Sequence, residues 1–182
     1  MHRIDRDTSG VVLFAKHAAA QAALKQQFLR HEPERVYQAV VYGAPAPPAG
    51  TWRDHLTWDQ RFLIQKETHP RDPRGTEAIS EYRTVERFAD TSLIEVRLVT
   101  GKRNQIRIQA RLRGHTLVGE QRYVYGPANL RPIDFGRQAL HAARLRVKHP
   151  TTGAPLTFEA PLPRDLVELV AELRASRPSR SG

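Results

Sequence analysis

Hydrophobic positions along this chain change their period several times, and each change predicts an element. Residues 10–15 (GVVLFA) are an apolar run after a turn and predict a buried strand. Residues 17–30 (HAAAQAALKQQFLR) are rich in helix formers, with Leu24 and Phe28 one turn apart, and predict a helix. Residues 34–42 (ERVYQAVVY) are dense in β-branched and aromatic side chains and predict a strand. Residues 43–50 (GAPAPPAG) are a breaker loop. Residues 60–76 are polar, contain Pro70 and Pro73, and predict a long loop or a hairpin insertion.

A strand pair follows at 78–88 and 92–99; in the second, Ile94, Val96 and Leu98 form the more apolar face. Residues 103–113 (RNQIRIQARLR) predict a helix with Ile106, Ala110 and Arg113 on one stripe and basic residues around it. Residues 137–148 and 154–160 predict two more strands joined between Pro150 and Gly153. In 164–175, Leu166, Leu169, Val170 and Leu173 recur at helical spacing. Strands outnumber helices and connections are short. The predicted class is therefore α+β, a mixed, mostly antiparallel sheet with helices packed on it. One domain is expected over 1–175, with a flexible tail at 176–182.

Composition narrows the function. The 182 residues include no cysteine, which removes disulfide frameworks, thiolate zinc sites and cysteine nucleophiles. No apolar stretch approaches the ~20 residues that cross a bilayer, and the polar N-terminus does not resemble a signal peptide, so a cytoplasmic location is expected. The net charge is +10, and nearly all of it falls after residue 100. Arg97, Lys102, Arg103, Arg107, Arg111, Arg113 and Arg122 crowd 97–122 against Glu120 alone. Such a density suits a polyanion, nucleic acid first, or is a solvated basic surface. Of 29 basic residues 24 are arginine, whose planar fork fits phosphates and stacks on bases.

Three clusters are candidates for chemistry. Residues 2–10 (HRIDRDTSG) place two carboxylates, two guanidiniums and an imidazole just before an apolar run. They are either a catalytic loop fed by a strand or an ordinary polar turn. Residues 100–107 (TGKRNQIR) are either an anion site at a helix start or a strand-to-helix turn. Tyr37, alone in an apolar strand, is either core or site. His115, His141 and His149 lack metal-ligand spacing.

Taken in order, these pieces resemble the RluA-type pseudouridine synthases. HRIDRDTSGVVLFAK (2–16) resembles that family's signature, His-Arg-Leu-Asp, two variable residues, Thr-Ser-Gly, apolar residues, Ala-Lys. ERVYQAVVYG (34–43) resembles its tyrosine-bearing strand, and residues 98–126 its Thr-Gly-Arg-x-His-Gln-Ile-Arg stretch and the Gly-His segment that follows. QALHAARLRVKHPTTGAPLTFEAPLP (138–163) resembles its closing Leu-His-Ala and His-Pro segment.

The resemblance implies isomerisation of uridine to pseudouridine in ribosomal or transfer RNA, by a monomer, with no metal and no cofactor. It implies Asp5 as nucleophile, attacking ribose C1′ or uracil C6, and a carboxylate is suited to that role at neutral pH. It implies Arg107 as the guanidinium that pairs with Asp5, and Tyr37 as the ring that packs on the target base and serves as general base. Arg3 would fill the gap left by the flipped nucleotide, with His2, Lys102, Arg103, Arg111 and Arg113 contacting RNA.

The chain departs from the pattern at Lys102 (usually Arg), Asn104 and Gln109 (usually His) and Glu120 (usually Asp). Family members carry a strand and a Lys-Pro-x-Gly turn before the aspartate motif, so the chain is expected to be truncated at its N-terminus, with Asp5 on a poorly held end. Two other functions compete: an RNA-binding module that has lost catalysis, and an aspartyl-phosphate phosphatase reading of Asp5-Arg6-Asp7-Thr8.

Overall fold

In the computed structural model, which describes residues 2–124 and 132–176, the elements run β1 (Ser9–Gly10), α1 (Ala18–Leu29), β2 (Glu34–Tyr42), β3 (Ala49–Asp59), β4 (Ile64–Glu67), β5 (Thr76–Arg87), β6 (Thr91–Leu98), α2 (Gln105–Leu112), β7 (Leu140–Lys148), β8 (Pro155–Glu159) and α3 (Arg164–Ala175). Among the described residues the strands form one sheet in the order β1-β7-β2-β6-β5-β3-β4, with β8 also on β7. Every pairing is antiparallel except β1 with β7. The α+β expectation is met.

β2 lies at the centre, between β6 and β7. Its alternate residues Tyr37, Ala39 and Val41 join Ile94, Val96 and Leu98 of β6, and α2 covers them with Ile106 and Ala110. On the other side Val40 and Leu93 meet Leu166, Leu169 and Val170, so α3 buries the stripe its sequence spacing predicts. α1 is Ala-rich and packs Leu24 and Phe28 against Leu145 and Val147 of β7; its N-cap is His17, whose Nδ1 accepts the Ala20 amide.

Three expectations need correction. The predicted buried strand over 10–15 is a strand only at Ser9–Gly10. β1 pairs with His141 and Ala142, and from Arg144 onward β8 occupies that edge of β7. The chain beyond Gly10 therefore has no ladder left to join. Val11, Leu13 and Ala15 still pack inward, whereas Phe14 is 75% exposed.

The second correction is β3, a long strand beginning in the predicted breaker loop and ending where the polar segment starts. Its sequence hides it: Asp54 reads as a loop residue, yet its carboxylate is buried and takes both Arg113 and Gln109. Only partners distant in sequence make that strand possible. The polar 60–76 segment supplies β4, so it is a hairpin with β3.

The third concerns α2, which is not a basic surface helix. Gln105, Ile106, Arg107, Ile108, Gln109 and Ala110 are all buried. The expected tail begins at Ser176, the C-cap of α3, and 177–182 lie outside the described residues, as do Tyr125 and Gly126 of the 98–126 motif.

Candidate active site

Asp5 sits on a turn whose hydrogen bonds come from the far end of the chain. The Thr8 amide donates to the Asp5 carbonyl at 3.1 Å, closing the turn, and Asp7 takes a left-handed φ of 65°. Gln138 Nε2 donates to the Arg6 carbonyl at 2.6 Å and to Thr8 Oγ1 at 3.1 Å. Arg137 Nη1 donates to the Asp7 carbonyl at 3.1 Å. His141 Nε2 donates to the Ala160 carbonyl, which leaves Nδ1 to accept from the Ser9 hydroxyl at 2.9 Å.

Gly10 makes the parallel pairing possible. Its φ is +115°, and a Cβ there would lie 2.2 Å from the Ala142 carbonyl oxygen. The expected poorly held end is therefore corrected: residues 137–142 clamp the Asp5 loop at four points, because β7 lies between that loop and β2.

Opposite Asp5 stands Arg107. Its Nε and Nη2 make a parallel fork to both Glu120 oxygens at 2.6 Å, and Glu120 has no exposed side-chain surface. Burial alone would lower the Arg107 value and raise that of Glu120. The hydrogen-bonded pairing outweighs burial in both, so the guanidinium is raised and the carboxyl lowered. The remaining nitrogen, Nη1, lies 3.6 Å from Asp5 Oδ2. That is an ion pair rather than the hydrogen bond the resemblance implies, because the fork is committed to Glu120. Backbone amides of Arg122 and Tyr123 also donate to Glu120, so the substitution of Glu for Asp has built a fully satisfied anchor.

Tyr37 forms a wall of the same site. The β2–β7 register shifts beside it, with Ala143 of β7 the extra residue, while β2 stays in regular register with β6. Tyr37 is 7% exposed. Burial pushes its phenol up to about 12; Arg35 opposes this and Asp5 adds to it. At neutral pH Tyr37 is a neutral donor with an apolar ring.

The 100–105 turn is fixed from below. Gln105 Oε1 accepts from Thr100 Oγ1 and the Lys102 amide, and its Nε2 donates to Ser80 Oγ. Ser80 donates to Gln109 Oε1, and Gln109 Nε2 donates to Asp54, which Arg113 grips with two nitrogens. Gln109 and Asn104, the two positions where histidine is usual, thus hold the frame: Asn104 Oδ1 accepts from Tyr123 Oη at 3.3 Å.

Asp5 is shared by two cavities. One, of about 130 Å³, is walled by Asp5, Tyr37, Arg35, Leu98, Lys102 and Ile106. The other is an open groove of about 510 Å³ with Arg3, Arg6, Trp58, Arg103, Arg107 and Arg122 along it. Arg103 lies over the Trp58 ring at 4.2 Å. Asp5, Tyr37, Arg107, Arg3, Lys102 and Arg103 are therefore brought together as expected. Arg111 and Arg113 are not among the residues lining either cavity, and Arg113 is tied to Asp54.

His2 lines the first cavity but carries no charge at neutral pH. Burial, then the charge of Arg35, lowers it to about 4, and its Nδ1 accepts the Leu13 amide. Sequence reasoning missed Arg35, Trp58 and the role of Glu120. For Arg35 a signal existed, since it lies two residues before Tyr37 and so faces the same way along a strand.

Among the described residues no three His, Cys, Asp or Glu side chains are grouped to hold a metal ion, and no helix is long and apolar enough to cross a membrane. Asp7 lies on the rim of the same groove, with its carboxylate largely exposed and 3.9 Å from Arg6.

Comparison with known proteins shows which family shares this sheet and the motifs around Asp5. The RNA pseudouridylate synthase family model matches residues 1–112. The chain is 40% identical over 174 residues to the uncharacterized RNA pseudouridine synthase YlyB of Bacillus subtilis (strain 168), covering 96% of this chain and 55% of that protein. It is 37% identical over 182 residues to ribosomal large subunit pseudouridine synthase D of Zymomonas mobilis, covering 97% and 56%. In fold it is similar to human RNA Pseudouridylate Synthase Domain Containing 4, with a TM-score of 0.77 at 19% identity over 95% of this chain and 74% of that one. The chain belongs to the RNA pseudouridylate synthase family, and it spans about half the length of the curated relatives it matches.

Proposed function

We propose that this chain isomerises uridine to pseudouridine in RNA, with Asp5 as the nucleophile. The observation that carries this is the position of Asp5, where a small cavity walled by Tyr37 opens into a groove lined by Arg3, Arg103 and Arg122. A flipped uridine would enter the cavity while the groove holds the strand it came from. The carboxylate attacks C1′ or C6, the N1 glycosidic bond breaks, the uracil turns, C5 bonds to C1′, and the bond to the carboxylate breaks to free Asp5. C5 loses its proton and N1 gains one, so the reaction requires no redox partner, and we assign it no cofactor or metal.

Arg107, anchored on Glu120, sets its free nitrogen beside the Asp5 carboxylate and aims it. We assign Tyr37 to packing and hydrogen-bond donation rather than general base, because its phenol stays protonated at neutral pH. Relatives named for the large ribosomal subunit favour ribosomal RNA as the substrate. We further propose a cytoplasmic monomer; gel filtration giving a dimer would overturn the second part.

The experiment is tritium release from RNA carrying 5-tritiated uridine, using transcripts of large-subunit ribosomal RNA and of transfer RNA. Release is expected from the ribosomal transcript and is abolished by Asp5→Asn, with RNA affinity retained within about twofold, since only the attacking oxygen is lost. An active Asp5→Asn protein overturns the mechanism. Binding without release by the unaltered chain instead supports the RNA-binding alternative.

A further inference from the structure

Arg35 is a buried guanidinium without a counter-ion. It is 9% exposed, and among the described residues no carboxylate lies within 4 Å of it. Its Nε is buried with no hydrogen-bond partner, and Nη2 reaches the Leu98 and Val99 carbonyls only at 3.5 Å. Arg107 in the adjoining groove, equally buried, has a complete carboxylate fork. A buried charge left this way is expensive to the fold, and it is retained where an incoming group completes it.

The surroundings indicate which group. Arg35 lines both the Asp5 cavity and a second pocket of about 220 Å³ on the side of α1. That pocket is also bordered by Arg3, Lys25, His31 and Phe28, and no carboxylate lines it. Gly101 belongs to both walls, and a Cβ on it would lie 2.2 Å from Arg35 Nη1. The guanidinium head, not only its stem, thus lies at the partition, and glycine at 101 is what leaves room for it.

We propose that this pocket binds one backbone phosphate of the RNA beside the target uridine, with Arg35 as the innermost contact and Arg3 and Lys25 at its rim. The inference rests on the reading that the Asp5 cavity receives a uridine of RNA. A phosphodiester supplies the delocalised negative charge and acceptor oxygens that a planar guanidinium fork matches. Its neighbours in the strand then fall on either side of the partition, one nucleoside in the cavity and the chain continuing over α1. Burial of the guanidinium strengthens the contact, since it is largely shielded from water. The carbonyl end of α1 works against an anion here, and three cations outweigh it.

The test uses the full chain and a ten-nucleotide oligouridylate, with affinity followed against salt concentration. Each phosphate contact on a single strand contributes about 0.7 to the slope of log affinity on log salt. Arg35→Met is expected to lower the slope by about that amount, and Arg35→Lys to keep the slope with weaker binding. Lys25→Ala, at an exposed position that does not threaten folding, is expected to lower it too. Replacing single linkages by uncharged methylphosphonate should reveal one position that weakens wild-type binding and has no further effect on Arg35→Met. Unchanged slopes in both Arg35→Met and Lys25→Ala, or a methylphosphonate penalty fully additive with Arg35→Met, overturn the site. So does wild-type binding that does not depend on salt. If the wild type releases tritium while these slopes stay unchanged, the phosphate site falls and the isomerase reading stands; absent release with altered slopes gives the reverse.

Discussion

Two buried arginines border the two cavities that share Asp5, one in each, and they are built on opposite terms. Arg107, on α2, is held by Glu120 through two 2.6 Å hydrogen bonds and reaches Asp5 with the nitrogen left over. Arg35, on β2, has no carboxylate and one nitrogen without any partner. The first arginine is fully partnered in the free protein and fixes Asp5, the proposed nucleophile. The second is incomplete, and its missing charge has the sign of the substrate. Burial by itself says nothing about which role a charged side chain has; the state of its remaining donors does.

That contrast is open to attack. The largest effect is expected from Glu120→Ala, which strips Arg107 Nε and Nη2 of their carboxylate and leaves only the longer contact to Asp5; it should lower folding stability by about 3–5 kcal/mol in urea titrations. Arg35→Met, with no partner to strand and a side chain of similar length, should be neutral or stabilising in the absence of RNA. Equal losses in the two variants would erase the distinction between the two arginines. Next comes Gln109→Ala, which removes the link between Ser80 and Asp54 beneath the 100–105 turn. A loss of about 1–3 kcal/mol is expected from the stranded Ser80 and Asp54 groups, and a change below 0.5 kcal/mol by the same titration would show the network to be dispensable.

The smallest effect concerns His2, which Arg35 helps to keep neutral. The unfolded side chain takes up a proton near pH 6.5 and the folded one only near 4, so between these values the unfolded chain binds more protons. Stability contributed at neutral pH is therefore lost as pH falls through that window. Wild type should lose about 1–2 kcal/mol more than His2→Gln between pH 7 and pH 4, allowing for screening of a group partly open to solvent. Parallel pH profiles for the two proteins would mean that His2 titrates freely.

Much of this was legible in the sequence, and the exceptions share a cause. β2, β5, β6, β7, β8 and α3 carry local periodicity and lie where it predicts. Asp5, Tyr37 and Arg107 stand out through a motif, and the structure gathers them around one cavity or its mouth. What escaped depends on partners far along the chain. β3 reads as polar because Asp54 is satisfied only by Gln109 and Arg113. α2 reads as a basic surface helix because Arg107 looks solvated until Glu120 is placed against it. The grip on the Asp5 loop was invisible for the same reason, since Gln138 and His141 lie about 130 residues away.

That grip sets a condition on biosynthesis. The aspartate motif leaves the ribosome well before the strand that pins it, since β7 ends only at Lys148. Until that stretch has cleared the exit tunnel and slotted beside β2, nascent chains carry the nucleophile without a geometry to use it. Such long-range closure slows folding. On the proposed function, it also means that fragments released before β7 is made lack the geometry to act on the RNA around them.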